Sequence, residues 1–391
     1  METVAAPALD AEFFDSVATK LATAGPAAAA EQLCEMLQGS GDFAKLFYAK
    51  LLKKRVEMGV SPIPTASAAD FTPQQQEEYE NAIREACRTV GKLYLDSGQI
   101  PQAFGYYRMI GELGPVVAAL DKYQPAEDED IQPIVDVAYY QGANVKRGFD
   151  LVLERYGICN AITTANQFDP AHGMEGRHYC VQKLVRSLHA QLLERLKMAV
   201  QEQQGFPPTA SSIPEMIEGR DWLFANDAYY TDTSHLSSVV QMSVELESPE
   251  ELRLARELCT YGKRLAPTLQ YPGNPPFENL YSDVKTYLDV LLGDEAEVGI
   301  KHFKSKITAD PDGPDTFAAE VLVRLLLRLK RDKEALEVAR VYLLNVDERQ
   351  LNVPGVFELS QRLKDYRALA EAAQLRKDPV HYLAGLIAAR Q

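Results

Sequence analysis

The chain predicts an all-α fold: an α-solenoid of stacked antiparallel helical hairpins with an irregular, loop-rich middle. Three observations predict it. Residues 91–115, GKLYLDSGQIPQAFGYYRMIGELGP, put small and aromatic residues where a helix–turn–helix unit needs them. Weaker forms of the same cadence return toward the C-terminus. The one segment that reads as a strand, ICNAITT at 158–164, is short and alone.

Residues 9–58 read as helix. FAKLFYAKLLKKRVEMG places Phe43, Leu46, Phe47, Leu51 and Leu52 on one stripe, with lysines opposite. Lys50, Lys53, Lys54 and Arg55 are then the solvated face of that helix. SPIPTASAADFTPQQQ, 61–76, breaks the pattern with prolines and small polar residues and reads as a linker. Asp70 or Thr72 is placed to cap the next helix, with Pro73 in its first turn. That helix covers roughly 74–96 and ends at Ser97–Gly98; its partner runs from about Pro101 to Gly111.

Here the chain resembles the tetratricopeptide repeat. Gly91, Tyr94, Ala103, Tyr107 and Pro115 stand at that family's spacing for small, aromatic, small, aromatic and terminating proline. Small Gly91 and Ala103 let two helices approach, Tyr94 and Tyr107 fill the groove, and Pro115 stops the second helix. Later segments keep parts of the spacing: Gly299, Phe303 and Pro311; Leu326, Ala335 and Ala339 without the aromatics; Ala368, Ala372 and Pro379. The resemblance implies a curved stack that presents a binding surface.

Between these come non-repeat helices. QPAEDEDIQP, 124–133, is an acidic turn leading into two short helices that part at Gly142. Residues 160–176 turn loop-like, and a long helix follows from about Arg177 to Gln204. Residues 205–233 form a loop-rich insertion with the only tryptophan, Trp222. Helix resumes near Ser234 with Asp232 or Thr233 as its cap, and again after Ser248–Pro249. A proline-rich link then leads to a helix ending near Leu292–Gly293. The expected organisation is 1–60 N-terminal helices, 61–76 linker, 77–157 hairpins, 158–247 middle region, and 248–391 C-terminal repeats.

Charge narrows the partners. Lys and Arg number 41 against 56 Asp and Glu, a net charge of −15, which repels nucleic acid and anionic lipid and favours basic segments. Glu2, Asp10, Glu12 and Asp15 precede the first basic residue, Lys20, the opposite of a secretory or mitochondrial leader. The richest apolar run, 321–329, is interrupted by Arg324 and Arg328 and is too short to span a bilayer. Five scattered cysteines without a CxxC pair fit neither a disulfide framework nor a zinc site, so a cytoplasmic location is expected.

Two functional readings follow. In the first, an interaction protein binds a peptide or protein on a concave surface. Its contacts would be outward aromatic and basic residues: Tyr106, Arg108, Tyr140, Lys146, Arg147 and Arg155. It needs no cofactor. In the second, His178 and His189 point the same way from one helix and join Asp232 and His235 at the next helix start. Imidazole and carboxylate suit one transition metal such as zinc, iron or manganese. The plainer account of those four is a helix cap and histidines satisfied by backbone or carboxylate partners. No nucleophile–base pair, phosphate loop or dinucleotide fingerprint is present, so no reaction can be named. Cys180 and His178 project to opposite sides of their helix, Cys159 reads as a small core residue, and ADPDGPD, 309–315, is an acidic turn lacking a calcium-loop pattern.

Overall fold

Side chains that meet the first-turn amides fix where the helices of the first part begin. The computed structural model describes residues 11–64, 71–307 and 316–390, and all regular structure among them is helical. The chain divides into two compact units, residues 1–155 and 156–391. In the first, α1 (Ala11–Gly39) bends at Gly25, φ +85°, ahead of Pro26, and packs on α2 (Phe43–Glu57). Asp42 caps α2 by accepting from the Lys45 amide at 3.0 Å. Thr72 and Gln75 form a reciprocal capping box at the start of α3 (Pro73–Asp96). The other candidate cap, Asp70, lies outside the described residues.

α4 (Ile100–Met109) packs along α3. Tyr106 stacks on Tyr94 at 5.7 Å, Tyr107 lies over Gly91, and Glu112 pairs with Arg88 at 2.6 Å. Rising numbers on one helix meet falling numbers on the other, so the two run antiparallel. Gly91 is required: a Cβ there would lie 2.7 Å from the Tyr107 ring, which is itself buried. Gly91→Ala is expected to lower unfolding free energy by about 1–2 kcal/mol, the overpacking cost exceeding alanine's better helix propensity. Thermal denaturation measures it, and a variant as stable as the parent would refute the close approach.

α5 (Gly114–Lys122) follows, then α6 (Gln132–Val135), which continues into a π-helical turn at Asp136–Tyr140. α7 (Val145–Asn166) breaks at Gly157, φ +76°, beside the division between the units. Its second half contains the segment expected to be extended. Ala161, Ile162 and Ala165 are buried on one helical face, while Asn160 and Thr163 donate to carbonyls four residues back at 2.9 and 3.2 Å. Burial at helical spacing overrides β propensity there. Cys159 is exposed on this turn, not a core residue.

The second unit continues with α8 (Met174–Gln204), α9 (Ile213–Ile217), α10 (Thr233–Met242) and α11 (Pro249–Gly262). The 205–233 insertion is therefore not bare loop: it holds α9 and a 3₁₀ stretch, Asp221–Asp227. Ser248 stands at the start of α11, but its hydroxyl makes no bond to the first-turn amides. Arg186 pairs with Glu251 at 2.6 Å and His189 with Glu257 at 2.8 Å. Both numbers climb together, so α8 and α11 are parallel, and α10 packs on both.

Then come α12 (Leu280–Leu291), α13 (Ala296–Ser305), α14 (Thr316–Arg328), α15 (Asp332–Tyr342), α16 (Val356–Leu363), α17 (Tyr366–Leu375) and α18 (Pro379–Ala388). Each packs on the next. Gly262 faces Tyr281 while Arg256 approaches Asp289, so α11 and α12 are antiparallel. Tyr287 meets Phe303 at 5.6 Å while Asp283 meets Lys306, and α12 and α13 are antiparallel too. One buried apolar cluster runs from Tyr287 through Phe303, Leu322 and Leu336 to Leu359 and Ala372. Pro311 and the acidic turn at 309–315 lie outside the described residues.

Candidate functional site

α8 carries two of the residues expected to bind metal, but it holds them apart. His178 and His189 share a face, and eleven residues of helix separate them by about 16 Å along the axis, too far for one ion. His189 is buried, its Nε2 2.8 Å from Glu257 Oε2. The same oxygen accepts the Ile213 amide at 2.9 Å, so this pair ties the insertion to α8 and α11. Asp232 is exposed and caps α10, accepting from the Ser234 and His235 amides at 2.8 and 3.2 Å. Hydrogen bonds from Ser234 hold its carboxyl below the usual carboxylate value. Among the described residues no group of three or more His, Cys, Asp or Glu is arranged to hold a metal ion. The four therefore do not converge on one ion: equal facing on a helix is not equal height.

Burial draws the Glu257 pKa upward, but hydrogen bonds from His189 and the Ile213 amide outweigh it, and the carboxyl ends below its ordinary value. A depressed folded-state pKa contributes stability above the unfolded pKa and loses it as pH falls through the folded one. Glu257→Gln is expected to cost about 1–2 kcal/mol at pH 7. The gap to the parent should narrow as pH falls below the ordinary glutamate value and close once it passes below the depressed folded-state value. Denaturation curves across that range check it; a gap independent of pH would refute the charge-assisted latch.

The residues expected to face a partner divide differently. Tyr106 is half-buried between Tyr94 and Phe47, and burial raises its hydroxyl pKa to about 12. Arg147 donates to the Tyr123 carbonyl at 2.8 Å, and Arg155 to the Glu129 carbonyl at 3.0 Å. These two fasten the acidic 124–133 turn. Arg108 is exposed, stands over the Phe104 ring and donates to the Gln141 amide oxygen at 3.0 Å. Tyr140 is 42% exposed with its ring edge on Tyr139, and Lys146 is exposed on α7. Arg108, Tyr140 and Lys146 are exposed at the surface of the first unit; the others are packing and bracing groups.

A larger concavity lies within the second unit. It is a cleft of about 670 Å³ whose walls include Phe168, Met174, Arg177, His178, Arg324 and Arg328. The 3₁₀ turn Ser243–Glu245 forms part of one wall, and two guanidinium groups clamp it. Arg177, from α8, is bidentate to Glu245 at 2.8 and 3.0 Å. Arg328, from the end of α14, donates to the Val244 carbonyl at 2.7 Å and to the Leu246 carbonyl, with its cation over the Tyr287 ring. Arg324, one turn earlier, reaches the Asn352 carbonyl at 3.4 Å. Buried Glu320 holds that wall by accepting the Asn352 backbone and side-chain amides at 2.9 and 3.2 Å.

Of the metal candidates only His178 lines this cleft, half-buried. The sequence contains Arg324 and Arg328 as breaks in an apolar run. Their signal was there: arginines four apart share one face of a helix whose other positions are nearly all apolar, so that face borders a cavity or polar wall. The cleft supplies guanidinium donors, an imidazole, an aromatic ring and a thioether. Such groups recognise anions and apolar surface.

No family model matches the chain, and no curated protein and no solved structure is significantly similar to it.

Proposed function

We propose that the chain is a helical-repeat interaction protein, tetratricopeptide-like in build, that holds a peptide or protein segment on a surface made by successive hairpins. The observation that carries this reading is the second-unit cleft. Its walls come from α8, α14 and the segments around residues 168, 245 and 352, so it is assembled by the packing of helices distant in sequence. The glycine-against-tyrosine contact supports the repeat character: Gly91 meets Tyr107 in the first unit and Gly262 meets Tyr281 in the second. Such contacts set helix spacing, and helix spacing shapes the groove between neighbouring hairpins.

No described helix is long and apolar enough to cross a membrane. The five cysteines are free thiols, four of them buried, which suits a reducing compartment such as the cytoplasm. The net charge of −15 disfavours nucleic acid and, over the surface at large, favours partners with basic segments. The cleft departs from that average, with arginines in excess of carboxylates on its walls.

The test is to pan a random-peptide phage library on the purified 391-residue chain and measure the enriched peptides by calorimetry. Related sequences binding with micromolar Kd, about −8 kcal/mol, are expected. Failure of any peptide to enrich over the bare support would overturn the proposal.

A further inference from the structure

We infer that the second-unit cleft recognises one carboxylate side chain, flanked by apolar residues, in the partner's segment. This rests on the peptide-binding reading above and names what the cleft selects.

The charge balance comes first. The walls hold Arg177, Arg324 and Arg328 against Glu245 and Glu247, leaving one positive charge in excess among these five. Arg177 and Glu245 neutralise each other through their bidentate contact. Among the described residues Arg324 and Arg328 have no carboxylate within ion-pair distance; the partners of their guanidinium groups are carbonyl oxygens of Asn352, Val244 and Leu246 and the Tyr287 ring. In a chain with a large excess of acid, that is a local deficit of negative charge.

Geometry assigns the two arginines different parts. Arg328 is held by two carbonyls and a ring and acts as a fixed positive wall. Arg324 makes one long contact at 3.4 Å, so most of its five donors are open to a ligand, on the same helix face one turn away. A carboxylate between them meets a planar fork suited to two-point contact.

The rest of the cleft sets what accompanies that carboxylate. Phe168, Pro170, Met174 and Val244 give apolar surface beside the arginines. Exposed Glu247 stands at the same cleft and opposes further negative charge. One excess positive charge matches a carboxylate better than a dianionic phosphate, and a polyanion is repelled by the protein as a whole.

The experiment uses the full chain and acetylated, amidated synthetic peptides copied from the library winners. The winners should share an Asp or Glu next to aliphatic or aromatic residues. Arg324→Gln should weaken binding by about 10- to 100-fold, the loss expected for a charged hydrogen bond, while leaving the melting temperature unchanged. Changing the peptide's acid to its amide should weaken binding to the parent similarly and abolish the further effect of Arg324→Gln. A phosphoserine in place of the acid should bind less well. Winners without an acid, winners indifferent to Arg324→Gln, or tighter binding by the phosphopeptide would overturn the carboxylate site and leave the interaction reading standing. A library that yields no binders would sink both.

Discussion

Asp283→Ala is expected to lower unfolding free energy by about 3–5 kcal/mol, the largest loss from any single polar side chain in the second unit. Asp283 is 2% exposed, yet every direction from its carboxylate is met. Lys306 Nζ donates at 2.7 Å, His302 Nε2 lies at 2.9 Å, and the Asn279 amide donates at 2.9 Å across the start of α12. The hub thus pins α12 to α13 where their hairpin would otherwise splay. Lys306 also pairs with Glu278, but that carboxylate is half-exposed and screened by solvent. Removing Asp283 leaves the Asn279 amide unmet and a mostly buried ammonium with only the solvent-screened Glu278, so the loss reflects weakened partners more than a vanished bond. Asp283→Asn keeps the shape and one acceptor, and should lose only about 1–3 kcal/mol. Urea denaturation of both variants separates the cases. An alanine variant within about 1 kcal/mol of the parent would show that the hub is not needed.

Much of the helical layout is legible in the sequence because its determinants are local. Thr72 with Gln75, and Asp232 with Ser234, are caps whose partners lie within three residues. Gly91 and Tyr107 share one hairpin with a tight turn, so their spacing carries the contact directly. What lay beyond reach depends on partners distant in sequence. Gly262 and Tyr281 make the same kind of contact across the proline-rich link, and the changed spacing hides it. The helical state of Ile162 and Thr164 is decided by burial against other helices, which local β propensity cannot register.

The site shows the same limit. Periodicity says correctly that His178 and His189 face one way, yet it says nothing of what each meets. Glu257 reaches His189 from α11, and Glu245 of the 243–246 turn reaches Arg177 beside His178, both from across the fold. Arg147 and Arg155 read as free cations because their closest acceptors are the backbone carbonyls of Tyr123 and Glu129, and carbonyls leave no trace in residue type. A cleft walled by residues 166–178, 244–247, 324–328 and 352 is a tertiary fact. Only the pair Arg324 and Arg328, set in an apolar helix, announced that a polar wall was near.

Gly262→Ala should cost about 2–3 kcal/mol, more than the matching change at Gly91. A Cβ at Gly262 would lie 2.4–2.6 Å from Cδ1, Cε1 and Cγ of Tyr281. Cγ is next to the backbone, so no rotation of the ring clears it, and Tyr281 is 2% exposed with no vacant neighbourhood to enter. Relief therefore requires α11 and α12 to move apart. That would disturb the Arg256–Asp289 approach and the packing of α10 on both helices. Tyr281→Leu alone should also destabilise, by about 1–3 kcal/mol, because it leaves a void where the ring was. The double variant decides the mechanism. If the glycine exists to admit the ring, the combined loss must fall short of the separate losses by about 1 kcal/mol or more, a coupling well above the scatter for independent sites. Strictly additive losses would mean that Gly262 and Tyr281 do not oppose each other, and the glycine–tyrosine contact would lose its claim as the spacer common to both units.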